Sequence, residues 1–321
     1  MRFRTLDELT PSMELDRGLI HLSAFGGFFS RRTIDIWRRR TKMVPEYAAV
    51  FAVEGGRVLG QVFVLRIPYT FPAGVETITG IAAVATRPDR GRSGVARGIF
   101  REVHRLEQEA GIRHASLWTN RSWGAHHLYE KLGYRDVYSS PWAVHAALPR
   151  RKGRSRPAQV RPAKNGDLDA IERLHEDQAE GRLGFCPRPR GELRTTVAAR
   201  ELDPATDLIV ARSGRTLLGY AHVERNPFRT VCGELVASSA GARRALIAAV
   251  GRASPPRPFA FQNTLITDSP DIFRPPEYAV VLSGWYCLMG NSYGKTPSEA
   301  MARREFGTDD HRFLCLAGDR F

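Results

Sequence analysis

The order of apolar and polar positions along the chain predicts its elements before any chemistry is considered. Two β-rich runs, Tyr47 to Val53 and Val58 to Leu65, flank Glu54-Gly-Gly-Arg57, so the segment reads as a hairpin with glycines at the turn. A break over Ile67-Pro-Tyr-Thr-Phe-Pro-Ala-Gly74 precedes an apolar strand over 75–86. The next segment, 94–110, carries Val95, Ile99, Val103 and Leu106 at helical spacing, a face that packs on a sheet, and Gly111 ends it. A short strand at Ala115 to Trp118, a loop and a helix over 123–132 follow. That helix stops at Gly133, and Tyr134 to Val144 supplies closing strands. Upstream, residues 1–45 read as helical and irregular. Ser30 is placed to cap a helix bearing Ile34, Ile36 and Trp37, after an apolar loop Phe25-Gly-Gly-Phe-Phe29.

Beyond a basic, proline-bearing stretch, Pro149 to Pro162, the pattern begins again. Asp167 to Leu174 predicts a first helix. Leu208 to Val223 repeats the earlier hairpin, with Gly219 answering Gly60 and Arg215 answering Arg57. A repeat of this kind predicts two copies of one fold. In the second copy the strand ending at Ser238 runs almost directly into Gly241-Ala-Arg-Arg-Ala-Leu-Ile247, and a last helix spans Ser298 to Phe306.

Composition changes this picture in one respect. The 321 residues suffice for two cores, and neither a transmembrane run nor an N-terminal apolar signal is read, so a cytoplasmic protein with no membrane contact is expected. Cys186, Cys232, Cys287 and Cys315 are scattered and form no metal-type pair, so no metal is expected. The net charge of +14 is the extreme, concentrated in Arg31-Arg32 with Arg38–Arg40 and Lys42, and in Arg150 to Arg156. Such charge attracts anionic partners, nucleic acid among them, although no stacking aromatics or helix-turn-helix spacing accompany it.

The chemistry concentrates in Ile81 to Phe100: a buried strand, the sequence Thr86-Arg-Pro-Asp-Arg-Gly-Arg-Ser-Gly94-Val-Ala96, then an amphipathic helix. Unpaired N–H groups of a first helical turn, the helix dipole, small residues and the Arg90 and Arg92 charges all favour an anion there. This order resembles the coenzyme A signature of the GNAT acetyltransferase superfamily, Arg/Gln-x-x-Gly-x-Gly/Ala. Gly94 and Ala96 match its last two positions, while Gly91 stands at the first, leaving Arg90 or Arg92 to meet the diphosphate. The run Leu128-Tyr-Glu-Lys-Leu-Gly-Tyr134 resembles the second GNAT signature and lies at the expected distance.

The resemblance implies an α/β (α+β) fold of two GNAT-like domains, each a twisted, mostly antiparallel mixed sheet flanked by helices. Residues 1–148 would form the catalytic domain, 149–159 a linker, and 160–321 a degenerate copy. In that copy the arginine-rich loop is missing, and Arg303 stands where the first copy has Tyr129. The implied cosubstrate is acetyl-CoA, and the implied reaction is transfer of acetyl to an amine by direct attack. Val84, Ala85 and Thr86 would hold the pantetheine arm, Arg90, Gly91, Arg92, Ser93, Gly94, Val95 and Ala96 the diphosphate, and Asn120 a further pantetheine contact. Tyr129 would act as general acid or sulfur contact. For the base, the family position falls on Gly80; Glu76, His126, His127 and the terminal carboxylate of Phe321 are alternatives. Trp118, Trp123 and Trp285 read as core, with Trp123 also a candidate pocket wall. The alternative class is a non-catalytic acetyl-CoA sensor or nucleic-acid-associated regulator.

Overall fold

The computed structural model describes residues 1–27, 30–41, 43–145, 159–184, 187, 188, 190–225, 230–252, 258–262, 264–273, 277–282, 284–295 and 297–315. The basic run Arg150 to Arg156, nearly all of the expected linker, and Phe28, Phe29, Lys42, Cys186 and Phe321 lie outside the described residues.

In chain order the elements begin with β1 (Arg2–Thr5), α1 (Pro11–Phe25), α2 (Arg31–Arg40), β2 (Ala49–Glu54), β3 (Arg57–Phe71) and β4 (Gly74–Thr86). Then come α3 (Val95–Glu109), β5 (His114–Asn120), α4 (Gly124–Lys131), β6 (Arg135–Ser139), β7 (Trp142–His145) and β8 (Gln159–Pro162). The second half holds α5 (Leu168–Ala179), α6 (Glu192–Ala198), α7 (Pro204–Asp207), β9 (Leu208–Ser213), β10 (Thr216–Arg225) and β11 (Thr230–Ala237). It continues with α8 (Ala240–Arg252), β12 (Phe259–Gln262), α9 (Thr264–Thr267), β13 (Ala279–Val281), β14 (Tyr286–Ser292) and α10 (Glu299–Glu305).

Two seven-stranded sheets result, ordered β1-β2-β3-β4-β5-β14-β6 and β8-β9-β10-β11-β12-β7-β13. Each is mostly antiparallel, with β4 and β5 parallel in the first and β11 and β12 parallel in the second. Position by position the two orders correspond, and in each the sixth place is filled by a strand from a remote part of the chain. Contacts accordingly group the chain into discontinuous units, 1–138 with 286–308, and 139–285 with the described residues from 309 on. The contiguous division read from sequence, 1–148 and 160–321, differs from this grouping because β7 and β14 are exchanged.

One consequence corrects the sequence comparison of Arg303 with Tyr129. Helix α10 follows β14 and belongs to the first unit. The element that follows β12 as α4 follows β5 is the single turn α9. A second correction concerns the expected break at 67–74. Strand β3 runs through to Phe71 and turns directly into β4, pairing Ile67 with Ile78 and Phe71 with Gly74. Pro68 is tolerated because β2 covers β3 only as far as Phe63, so no partner on that edge requires its missing N–H. Tyr69 and Phe71 stay buried, and the Tyr69 hydroxyl donates to the Phe306 carbonyl at 2.8 Å.

Local signals otherwise behave as read. Ser30 Oγ accepts from Thr33 N–H at 3.1 Å and caps α2. Gly133 takes φ +93 after α4, where a side chain would be strained. Val95, Ile99 and Val103 of α3 pack on the first sheet beside Phe100, with Leu106 partly buried against the same cluster. Trp285, read as core, is 77 % exposed. The three described cysteines, Cys232, Cys287 and Cys315, are buried free thiols.

The same core holds a buried carboxylate. Glu107 of α3 accepts from the Tyr47 hydroxyl at 2.7 Å, from Arg66 Nη2 at 2.9 Å and from the Thr79 hydroxyl at 3.0 Å. Three donors and one full positive charge compensate its desolvation and bind α3 to the strands beneath. Nearby, His104 Nε2 lies 3.0 Å from the Tyr134 hydroxyl, and burial lowers the imidazole to about 4. A histidine near 6.5 in the unfolded chain then takes up its proton before the folded one does. Stability is therefore complete above pH 6.5 and declines as pH falls towards 4, by at most about 3 kcal/mol. Denaturant unfolding at stepped pH should show this decline, and His104→Phe should flatten it.

Candidate active site

The site is built where β4 leaves β5. Their parallel pairing covers only Thr79 with Ala115, Gly80 with Ser116 and Ile81 with Leu117. Beyond that point β5 pairs with β14 through Asn120, while Ala82 to Thr86 keep β3 alone. The edge of β4 that faces β5 thus carries backbone groups with no strand opposite. Val84 and Thr86 lie in this stretch, half-buried, and Ala85 is buried between them. Peptide groups in such a wedge are ready to bind an extended amide-bearing chain.

The same stretch contains a bulge that the sequence reading did not place. Register slips between Gln61 and Phe63, so that Ala83 and Val84 oppose Val62, and Ala83 adopts φ +48. Gln61 Nε2 lies 2.9 Å from His21 Nδ1 and donates to the Ala83 carbonyl at 3.3 Å. Because the amide donates, Nδ1 accepts and the His21 proton sits on Nε2. Burial, aided by Arg17, lowers the imidazole further and keeps it neutral. His21 is therefore a neutral N–H group beside the bulge. The signal for it in sequence is slight, a single histidine next to Ile20 on the inner face of α1.

At its C-terminal end β4 enters the arginine loop. Arg87 is engaged by Asp89 through two bonds, at 3.0 and 2.9 Å, and Arg90 lies 3.8 Å from Glu54. Arg92 is exposed, takes φ +60, and has no ion pair among the described residues. The Ser93 hydroxyl donates to the Arg90 carbonyl at 2.6 Å and tightens the turn. Gly94 stands at the helix N-cap with φ +82 and offers no side-chain acceptor, so the first-turn N–H groups of α3 stay available to a ligand. Gly91 is exposed, and a Cβ there would meet only the Pro88 carbonyl at 3.5 Å. Val95 is buried beneath the loop and Ala96 half-buried beside it. Left-handed residues at 92 and 94, a bare helix start and one unmatched guanidinium form an anion cradle.

Tyr129 projects from α4 into the core edge, 6 % exposed, its ring 5.5 Å from Phe100 and 6.2 Å from Tyr134. Burial pushes the phenol up to about 12, so it is protonated throughout the neutral range. Its hydroxyl makes no hydrogen bond among the described residues and is free to donate.

Other candidates are engaged elsewhere. Asn120 Oδ1 accepts from Ser122 N–H at 2.9 Å and from its hydroxyl at 2.7 Å, which turns the chain into α4. His126 Nε2 lies 2.9 Å from Asp136, and His127 Nδ1 lies 3.0 Å from Glu130. Asp136 is also bonded by Arg121 at 2.6 Å, so its charge is already met, although His126, Asp136 and Cys287 place ligand atoms within 4.8 Å of one another. Glu76 pairs with Arg113 at the entry of β5, seven residues from Ala83 along β4, roughly 23 Å. Gly80 lies in the paired part of β4 opposite Ser116. Trp123 is 53 % exposed at the start of α4 and touches Tyr286 edge-on.

The comparisons with known proteins concern the fold. The family model described as an acetyltransferase (GNAT) domain matches residues 19–137. Residues 19–137 carry the fold of a GNAT acetyltransferase domain. No curated protein matches the chain. Among solved structures, an Enterococcus faecalis protein described as a probable N-acyltransferase superposes with TM-score 0.68 at 13 % identity, over 91 % of this chain and 72 % of its own. A GCN5-related N-acetyltransferase from Kribbella flavida gives 0.64 at 20 % identity, over 90 % and 70 %. Eis1 from Mycobacterium abscessus gives 0.60 at 16 %, over 91 % and 74 %. At these identities the likeness is one of fold, and it extends over both sheets. The chemistry of the GNAT fold is acyl transfer. No helix among the described residues is long and apolar enough to cross a membrane.

The second unit has the GNAT-like strand order without the cradle. Only Ser238 and Ser239 separate β11 from α8, against eight residues between β4 and α3. Counted back from Ala237, which Gly219 faces as Gly60 faces Thr86, Glu234 takes the place of Ala83, although it pairs with His222 and the register slip falls next to it, at Gly233. Glu234 is buried, accepts from the Tyr220 hydroxyl and from Arg188, and has His175 Nδ1 at 3.5 Å. Burial opposes its charge, but Arg188 and His175 outweigh that and hold the carboxyl well below its usual range. His175 stands to Tyr220 in the second unit as His21 stands to Gln61 in the first.

Gly60 is what lets α3 begin so close to the GNAT sheet. A Cβ there would lie 2.9 Å from Val95 Cγ1 and 3.0 Å from the Ala85 carbonyl. Gly60→Ala should push the first turn of α3 outward, costing about 1–3 kcal/mol of stability. Urea unfolding measures that cost, and calorimetry with coenzyme A should show weakened binding.

Proposed function

We propose that the GNAT domain transfers an acetyl group from acetyl-CoA to an amine by direct attack. The observation that carries this is the pairing of an open β4 edge over 82–86 with the unmatched Arg92 and the bare α3 start at Val95 that follow it. The first suits an amide-bearing pantetheine arm and the second a diphosphate, in the order in which coenzyme A presents them. Residues 90–96 hold the diphosphate through backbone N–H groups, with Arg92 adding charge. The peptide groups around Val84 and Thr86 would align the arm, and an N–H at the Ala83 bulge would meet the developing oxyanion.

In the reaction the amine nitrogen bonds to the acyl carbon, the carbon–sulfur bond breaks, and the sulfur leaves with the electron pair. Tyr129 donates a hydrogen bond to that sulfur. A phenol near 12 is too weak an acid to lose its proton outright to a thiolate, so the refined role is stabilisation by a charge-assisted bond, with the amine's proton passing to solvent. The amine acceptor is consistent with the family. Within the first basic cluster Arg31 is held by Asp7 and Glu14, and Arg38 by Asp7, so these two charges are already matched within the protein. Residues 1–148 are proposed as the catalytic region and the second unit as its non-catalytic companion, in a cytoplasmic protein.

Thiol release from acetyl-CoA across a panel of amines tests the activity; no release with any amine, together with no calorimetric uptake of coenzyme A, would overturn it. Tyr129→Phe should lower kcat by roughly 10- to 100-fold, the worth of one hydrogen bond to a charged group, with KM for acetyl-CoA little changed. Arg92→Ala should instead raise KM and weaken coenzyme A binding. The rate should show no alkaline fall attributable to Tyr129 below about pH 11, since the phenol stays protonated there.

A further inference from the structure

In the second unit β11 also parts from its parallel neighbour. Pairing with β12 covers Thr230 to Cys232 against Phe259 to Phe261, and β11 then continues alone on that side to Ala237. The gap ends in a cavity of about 40 Å³ lined by Leu235 and Val236 of β11, Leu265, Leu314, Gln178, Arg182, Arg243 and, at its exposed rim, Asp268. We propose that this cavity binds a small carboxylate between Arg182 and Arg243.

The Arg243 guanidinium is held by a buried partner, and Arg182 is anchored through the backbone around it. Arg243 lies in the first turn of α8, and its Nη1 donates to the buried Ser269 hydroxyl at 2.8 Å, which fixes the plane of the guanidinium. Its Nε is buried and has no hydrogen-bond partner, a donor whose desolvation nothing in the protein compensates. Arg182 follows α5 in a turn closed by its own N–H to the Ala179 carbonyl at 3.0 Å. The next residue, Leu183, is tied to the Phe313 region through Leu183 N–H to Arg312 O at 3.1 Å and Leu314 N–H to Leu183 O at 2.9 Å. Two guanidiniums against one rim carboxylate leave one positive charge in excess. Planar N–H forks match a carboxylate geometrically, and the Gln178 amide adds a neutral donor. One water needs roughly 10–15 Å³ of such cavity space, so this one has room for about three, the size of a carboxylate with a short alkyl end and far less than a nucleotide or a pantetheine arm. The apolar walls, Leu235, Leu265 and Leu314, suit the short alkyl end. This site is separate from the coenzyme A cradle and does not depend on it.

Isothermal titration of the full chain with sodium acetate, in chloride-free buffer, tests the proposal. Saturable one-to-one binding is expected, weakened roughly ten-fold or more in Arg243→Met, whose circular dichroism should match the unaltered protein. Arg92→Ala, in the first unit, should bind acetate as the unaltered protein does. No saturable uptake, uptake unchanged by Arg243→Met, or uptake lost in Arg92→Ala would each overturn it. Butyrate distinguishes the source of the group. Binding as tight as acetate assigns the site to the carboxylate of a larger molecule entering at the rim, and much weaker binding assigns it to the free small acid.

Discussion

The site depends on a parallel pair of strands that stops pairing. Between Ile81 and Thr86 the first sheet gives up hydrogen bonds on one side of β4, and those peptide groups must find partners in water or in a ligand. The rest of the unit makes this tolerable. Strand β3 covers the other edge of β4 for its whole length, β14 takes up the free edge of β5, and α3 packs across the sheet through Ile99, Phe100 and Val103. Without the firm half of the pair below Ile81, the open half would collapse; without β14, β5 would have two unpaired edges beyond Leu117. The buried Glu107 with Thr79, Arg66 and Tyr47 sits on that firm side, pinning the helix to the part of the strand that remains paired.

The features legible in the sequence are those fixed within about ten residues. Glycine pairs at 55–56, the cap at Ser30, the helix face of α3, the stop at Gly133 and the arginine loop each depend on local backbone demands, and each stands where the pattern placed it. The hairpin between β3 and β4 is hidden in the sequence because Pro68 reads as a break, whereas its position beyond the reach of β2 removes the objection to it. The exchange of β7 and β14 left no local trace. Both are ordinary apolar strands, and which sheet each joins is decided by the partners waiting there. The comparison of Arg303 with Tyr129 fails for the same reason, since counting along the chain cannot reveal that α10 belongs to the first unit.

Within the candidate site the division is similar. Loop residues 90–96 and the Tyr129 signature were legible because they are contiguous. The bulge at Ala83, and the His21 and Gln61 side chains that meet it, required a register slip between two strands and a helix some sixty residues upstream. Asn120, His126 and Glu76 bond Ser122, Asp136 and Arg113, partners that spacing along the chain does not identify.

Comparison of the two units shows how one backbone device admits different chemistry. Gly219 sits under Leu246 as Gly60 sits under Val95, with a would-be Cβ 2.9 Å from the helix side chain in both, so the close approach of the helix after the open strand is a shared requirement. Above that common floor the units differ by six residues of loop and by one side chain. The first has an alanine at the bulge, a long cradle and a bare helix start, which together leave room for an extended anionic ligand. The second has Glu234, neutralised by Arg188 and His175, and Ser239, whose hydroxyl accepts from Ala242 N–H at 3.2 Å and closes the start of α8. A buried carboxylate and a side-chain cap stand where the first unit is open, and Arg243, near the start of α8, lines the cavity beside β11. The parting of two parallel strands thus recurs in both units, while the loop that follows it differs in length by six residues.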